Sequence, residues 1–321
     1  MIINIPPGDR FSIIHELVSR DDNVLKISVL CEIACVSRSG YYNWISYGSV
    51  RNLREAQDRA DFELILEAYR FRGYAKGGRG IYMRLLRLNP PVIMNLKKIR
   101  RLMRKYGLKC PIRRANPYRR MAKAVKTSHV APNLLERKFK EFGMRKVLLT
   151  DITYILYGDE RRCFLSTILD AYTKEVLAYA LSESLAVDFV LETVDNLIRD
   201  HGKSLYGTET LINSDQGPHY TSIKFIRLVK DSELRQSMSR RANCWDNAPQ
   251  ESFFGHMKDN IDISGCTTFK EIKAVVDDWM EYYNNDRYQW DLAKLSPREF
   301  AEYTRTSIYP LAGIIKSPEK V

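Results

Sequence analysis

Apolar positions along this 321-residue chain change their period near residue 140. Upstream they recur three and four apart, which lays one stripe along a helix. Residues 11–48 predict small helices: VLKISVLCEIACVSRSGYYNWI holds an apolar helix, a break near Val36, Ser37 as an N-cap, and a second short helix. That is the outline of a helix-turn-helix, an outline that a plain helical hairpin shares. EAQDRADFELILEAYRF (residues 55–71) predicts an amphipathic helix, interrupted by the glycine-rich RGYAKGGRGIY. VIMNLKKIRRLMRKYGL predicts a second, with Ile93, Leu96, Ile99 and Leu102 on its apolar face. Residues 107–137 hold three prolines and little periodicity, which predicts a basic linker.

Beyond residue 140 the runs become short and rich in β-formers. KVLLTDITYIL, RRCFLSTILDAY and KEVLAYALSE predict three strands, separated by the turn-like YGDE and AYTK. AVDFVLETVDNLIRDHG predicts a helix, ETLINSD a short buried strand, and TSIKFIRLVKDS another helix. An antiparallel meander extended by a parallel strand is the α/β layer this order predicts. FKEIKAVVDDWMEYYNNDRY predicts a late helix with a polar end, and no internal repeat is visible.

Composition adds limits. With 45% apolar and 11% aromatic residues the chain can bury a full core, which excludes global disorder. No apolar run approaches the ~18–20 residues of a membrane span, and MIINIPPGDRF lacks the features of a signal peptide, so a cytoplasmic protein is expected. The six cysteines are scattered without a C-x-x-C pair, which predicts reduced thiols. Cys31 and Cys35 stand four apart, but no nearby histidine pair completes a zinc site, so they read as packing positions.

Charge changes the picture more. The net +12 is the sum of −1 over residues 1–50, +19 over 51–140 and −6 over 141–321. From Lys97 to Leu135 there are thirteen Lys or Arg and no acid. A solvated helix face mixes signs, so a polyanionic partner is expected. The candidate contacts are Lys97, Lys98, Arg100, Arg101, Arg104 and Lys105 on the helix, Arg113, Arg114, Arg119 and Arg120 on the linker, and Ser37 with Arg38 at the head of the second small helix.

Three acids stand beside apolar runs, where an unpaired carboxylate is costly to bury. Asp151 lies inside the first strand, Asp215 at the end of the fourth with Gly217 after it, and Glu251 at the opening of a late helix. Each alone reads as a solvated or helix-end charge. Together they suggest a hard-cation site, because Mg²⁺ takes carboxylate oxygens. Two such ions suit phosphodiester chemistry, with Mn²⁺ as a substitute.

The phrases around these acids resemble insertion-sequence transposases of the retroviral-integrase superfamily. The first acid sits in Thr150-Asp151-Ile152-Thr153-Tyr154, the second in Ser214-Asp215 with Gly217 and Tyr220, and the third follows Asn243, Asp246, Asn247 and Ala248. Thirty-five residues separate Asp215 from Glu251, the spacing diagnostic of that family, and Lys258 supplies the basic residue seven after the glutamate. Seven residues is nearly two turns, so Glu251 and Lys258 share one helix face; the resemblance implies that Lys258 holds a DNA phosphate, whereas spacing alone also admits an ordinary surface lysine. VSRSGYYNW matches the family's N-terminal helical region, and Tyr283, Asn284, Arg287, Ser296 and Pro297 its C-terminal signature. Two departures stand out: Asn213 replaces a common histidine, and KGGRGIYMRL fits only loosely.

The resemblance implies a multidomain chain: an α-helical N-terminal DNA-binding region, an α/β ribonuclease H-like catalytic core and a helical C-terminal segment. The expected divisions are a helix-turn-helix-like module at 1–50, a basic helical region at 51–106, the linker at 107–137, the core at 138–262 and the C-terminal helices at 263–321. It implies a bacterial DNA transposase that uses Mg²⁺ to cleave and transfer strands through Asp151, Asp215, Glu251 and Lys258. The implied partners are the element's terminal repeats and target DNA, an upstream-frame helix-turn-helix product or a frameshift fusion with it, and further copies of this chain on DNA. The rivals are a catalytically silent helix-turn-helix regulator and a plain ribonuclease-H-like nuclease.

Overall fold

The computed structural model describes residues 5–111, 142–158, 161–205, 209–239 and 248–318. Arg113, Arg114, Arg119 and Arg120 lie outside the described residues, as do Asn243, Asp246 and Asn247. The chain divides into two compact units, Met1–Ile65 and Leu66–Val321.

The first unit holds α1 (Pro7–Val18), α2 (Ile27–Ile33), α3 (Arg38–Ser46) and most of α4 (Gly48–Arg70). Its small core gathers Ile14, Leu30, Cys31 and Tyr41, with Phe11 and Trp44 packed against them. Ser37 accepts a hydrogen bond from the Gly40 N–H and starts α3, while Cys35 takes φ 53° in the tight α2–α3 connection. Cys31 is therefore a core residue and Cys35 a turn residue.

The second unit opens with two helices. The glycine-rich stretch interrupts the α-helices over residues 71–77, as expected, and α5 (Gly78–Leu85) then forms from its second half. Ile81, Met83 and Leu85 are buried there, and a Cβ on Gly78 would already touch the Arg100 side chain. Tertiary burial outweighs the glycine cost of about 1 kcal/mol each. α6 (Leu96–Lys105) begins later than the apolar pattern implied, because the Asn95 side chain caps the Lys97 N–H and leaves Ile93 outside, 68% exposed.

Five strands follow in the order β3-β2-β1-β4-β5: β1 (Val147–Tyr157), β2 (Arg161–Asp170), β3 (Val176–Ser182), β4 (Leu211–Ser214) and β5 (Arg235–Met238). The first three form an antiparallel meander, and β4 and β5 add in parallel. β5 reads RQSM, too polar and too short to have been anticipated. Side-chain alternation divides the sheet. Leu148, Ile168 and Ile212 face α7 (Asp188–Leu205) and α8 (Ile223–Asp231). Val147, Leu149, Leu165 and Leu169 face α9 (Ala248–Asn260) and α10 (Phe269–Asn285), where Trp279 is fully buried.

The C-terminal signature has a physical basis. Asn284 accepts from the Val176 N–H at 3.0 Å and donates to its carbonyl at 2.8 Å, so α10 covers the edge strand β3. Ser296 and Glu299 form the capping box that starts α11 (Pro297–Thr306), and Glu299 also meets Arg87 at 2.6 Å.

Candidate active site

The parallel pairing of β1 with β4 runs through Leu149 and Asn213. Two residues further along come Asp151, inside β1, and Asp215, just past the end of β4, so this register brings the two carboxylates to neighbouring positions. Asp151 is half-buried and its Oδ1 accepts from the Ile152 N–H; Asp215 is exposed and its Oδ1 accepts from the Gly217 N–H at 2.8 Å. A Cβ on Gly217 would stand 2.9 Å from that same oxygen, so a larger residue there would displace the Asp215 carboxylate. Beneath both acids lies Tyr220. Burial first, then the charges of Asp151 and Asp215, push its phenol well above the ordinary value, and its hydroxyl lies 3.5 Å from Thr150 Oγ1. It stays protonated beside the two anions.

Asn213 has its own task. Its Nδ2 donates to Ser239 Oγ at 2.9 Å, and Gln216 Nε2 donates to the Ser239 carbonyl at 2.9 Å. Two residues around Asp215 thus hold the end of β5.

Two contacts set the path of α9 beside β1. Gln250, fully buried, donates from Nε2 to Thr167 Oγ1, and Thr167 is the cross-strand partner of Asp151. Eight residues later the Lys258 ammonium stands 4.8 Å from the centre of the Tyr154 ring on β1. Eight helical residues rise about 12 Å and three strand residues about 10 Å, so α9 follows β1 from the level of Asp151 onward. Glu251 follows the Gln250 anchor by one residue, on the first turn of α9. Lys258 keeps an exposed surface, while crowding by protein atoms lowers its pKa.

The structure brings Asp151 and Asp215 together and sets Glu251 and Lys258 along the neighbouring helix. Among the described residues no group of three His, Cys, Asp or Glu side chains could hold a metal ion, so the third carboxylate is not gathered to the other two. The donor chemistry does suit a hard divalent cation: one carboxylate within β1 and one just past the end of the neighbouring β4, near a phenol that remains neutral.

Of the candidate DNA contacts, Ser37 heads α3 with its hydroxyl occupied as the cap, and Arg38 follows it. On α6, Ile99, Leu102 and Met103 are buried, while Lys97, Arg100, Arg101, Arg104 and Lys105 are exposed and Lys98 is half-buried. The inward face leaves a cationic face outward.

Sequence reasoning missed Gln250 and Thr167. A signal was present: Gln250, Phe253, Phe254 and Met257 recur at helical spacing, so the glutamine occupies an apolar stripe.

Comparison with known proteins agrees with this layout. A family model described as Integrase core domain matches residues 143–244, a second of the same description matches 251–304, and an HTH-like domain model matches 56–116. The first contains Asp151 and Asp215, and the second begins at Glu251. The third covers α5 and α6, downstream of the α2–α3 pair. InsK, a transposase by name, for insertion sequence element IS150 of Escherichia coli (strain K12), is 33% identical over 213 residues, covering 66% of this chain and 72% of that protein. Transposase InsF for insertion sequence IS3A of the same strain is 25% identical over 298 residues, 89% of this chain and 97% of its own. Among solved structures, the HTLV-2 integrase catalytic core domain in complex with magnesium aligns at 16% identity and a TM-score of 0.37, over 48% of this chain and 94% of that one.

Proposed function

The chain belongs to the insertion-sequence transposases that carry an integrase core domain, and we propose that it moves its element by two successive phosphoryl transfers at one carboxylate site. The observation that carries this reading is the parallel register of β1 and β4, which brings Asp151, inside β1, beside Asp215, just past the end of β4. Asp151, Asp215 and Glu251 would hold Mg²⁺, or Mn²⁺ in its place. When bound, two such ions lower the charge on the phosphate and favour both the entering and the departing oxygen.

Three carboxylates repel one another without a counter-ion. A bound cation would relieve that repulsion and let Glu251 join the pair, from a helix already anchored by Gln250. In the first transfer a water oxygen bonds to phosphorus at the element's end, and the bond to the 3′ oxygen breaks. That oxygen takes up a proton and leaves as a free 3′-hydroxyl. In the second, this hydroxyl attacks a phosphodiester of the target, loses its proton, and a new 3′-hydroxyl departs. Lys258 holds a phosphate beside the reacting one, and the outward cations of α6 hold the flanking backbone.

Asp151→Asn, Asp215→Asn and Glu251→Gln should each abolish Mg²⁺-dependent cleavage while DNA affinity stays within about threefold. Cleavage at the wild-type rate in any one of them overturns the assignment. Phosphate contacts carry no sequence information, so selection of the element's ends falls to an upstream-frame product or a fusion with it, and copies of the chain assemble on the DNA. In a competition assay at fixed salt, terminal repeat and scrambled duplex should bind this chain alone with less than the ~10³-fold discrimination of a dedicated specific binder. A thousandfold preference for the repeat removes the need for that partner.

A further inference from the structure

A second concavity opens on the flank of α9 away from Glu251. It has a volume of about 490 Å³, within the range of ligand-binding clefts, and Pro249, Ser252 and His256 of α9 form one wall. At about 100° per residue these three lie roughly a third of a turn or more round from Glu251, and Pro249 and Ser252 bracket it in sequence. The facing walls carry Arg79, Arg287 and Trp290, and the space continues into a recess of about 240 Å³ that shares Arg79, His256 and Arg287.

The chemistry of this cleft is not that of a structural gap. Neither Arg79 nor Arg287 forms an ion pair with a carboxylate among the described residues; each meets only an aromatic ring, Trp290 at 5.2 Å and Tyr283 at 5.6 Å. Arg287 is half-buried, where an unpaired guanidinium lacks much of its water. Lys174, on the rim, is already paired with Asp291. Trp290 is 41% exposed, with the Lys294 ammonium 5.2 Å and the Tyr82 ring centre 5.9 Å from its own ring centre. Burial, with the charges of Arg287 and Lys174, lowers His256 to about 4, so it offers a neutral imidazole at neutral pH. Two cations without a carboxylate partner, a partly exposed indole and a neutral hydrogen-bonding ring suit a ligand with an anionic part and a flat aromatic part.

We propose that this cleft receives a DNA nucleotide turned out of the duplex next to the cut, its base on the Trp290 ring and its phosphate between Arg79 and Arg287. The proposal rests on the transposase reading for the identity of the ligand. An intact duplex keeps its bases stacked inside, so a base reaches a side-chain ring in a cleft of about 490 Å³ only after it has left the stack. Stacking of a base on an aromatic side chain is worth about 1–3 kcal/mol and tolerates any sequence.

The test measures equilibrium binding in chelator, so that no cleavage intervenes, to single-stranded oligothymidylate and to a duplex of equal length. Trp290→Ala should weaken single-strand binding by roughly tenfold, within the span that stacking on one ring supports, and change duplex binding less than twofold. Trp290→Phe should restore most of the loss, and Arg79→Ala with Arg287→Ala should reproduce it. A single 5-iodouracil in the oligothymidylate should photocross-link to the peptide containing Trp290. Equal losses on single strand and duplex, or no loss on the single strand, overturn the proposal. If wild type cuts duplex DNA with Mg²⁺ yet does not bind the oligothymidylate, the cleft assignment fails and the transposase reading stands. If it neither binds nor cuts any DNA, both fail.

Discussion

Replacing Gln250 with leucine separates the placing of Glu251 from the stability of the fold. Gln250 and Thr167 are both fully buried, and the Nε2–Oγ1 hydrogen bond joins them. Removing the donor forfeits a net contribution of about 1 kcal/mol and leaves Thr167 Oγ1 with that partner gone, at about 1–3 kcal/mol. Against this, Gln250 Oε1 is buried without a hydrogen bond, and leucine removes that cost, which is of similar size. The fold should therefore lose no more than about 1–2 kcal/mol. The rate should respond more strongly. A displacement of the reacting geometry by ~1 Å costs on the order of a hundredfold, about 2.7 kcal/mol of barrier. Single-turnover cleavage at saturating protein and fixed Mg²⁺, with thermal unfolding and DNA affinity measured in parallel, distinguishes the two. Thr167→Val should slow cleavage comparably, and the double variant should be little slower than either single one, because both remove one contact. A Gln250→Leu rate within twofold of wild type, with the fold intact, refutes the idea that this contact sets Glu251.

Two further outcomes follow from the surface and from burial. Lys97→Ala, Arg100→Ala and Arg104→Ala, combined, should weaken duplex binding for all sequences and lower the salt slope by roughly 2–3, at ~0.9 per phosphate contact; an unchanged slope returns α6 to a solvated face. His256 has a folded pKa of about 4 against an ordinary 6.5, so the unfolded chain binds the proton first on acidification. The stability tied to the neutral ring is complete above about pH 6.5 and is lost as pH falls toward 4, by at most about 3 kcal/mol. Denaturant unfolding of wild type and His256→Gln across that window should diverge, wild type falling more steeply, and parallel curves contradict the burial argument.

The strands β1, β2 and β3 were legible because each is a long apolar run ended by turn residues, and β4 because LINS is short but wholly buried. β5 was not, since RQSM takes its strand form from pairing with β4 and carries no apolar pattern of its own. α5 misled for the opposite reason: its glycines argue locally against a helix, yet Ile81, Met83 and Leu85 are held by surroundings that no window of sequence contains. That Asp151 inside one strand and Asp215 at the end of another belong together was suggested by their chemistry, but what brings them near one another is the parallel β1–β4 register, from Val147–Leu211 to Leu149–Asn213. Gln250 could have been found by phase. Arg79, Arg287 and Trp290 could not, because more than two hundred residues separate the first from the others, and their shared cleft is a product of tertiary packing.

α9 shows why so much depends on helical phase at this site. Gln250, Phe253, Phe254 and Met257 point into the core, Glu251 and Lys258 lie on one edge, and Pro249, Ser252 and His256 line the cleft. The faces differ by about 100° of rotation, a single residue's step. Moving the register by one would put Gln250 where Glu251 stands and turn the carboxylate to the place of Ser252, toward the guanidiniums of Arg79 and Arg287, where it would pair with them. The apolar stripe, not the acid, resists that shift, since burying Phe253, Phe254 and Met257 is worth several kcal/mol at about 1.5–3 kcal/mol per side chain. A polar edge of modest intrinsic stability is thus held in phase by the hydrophobic face behind it. The charge that has to remain available for a cation is kept away from the cations of the chain itself.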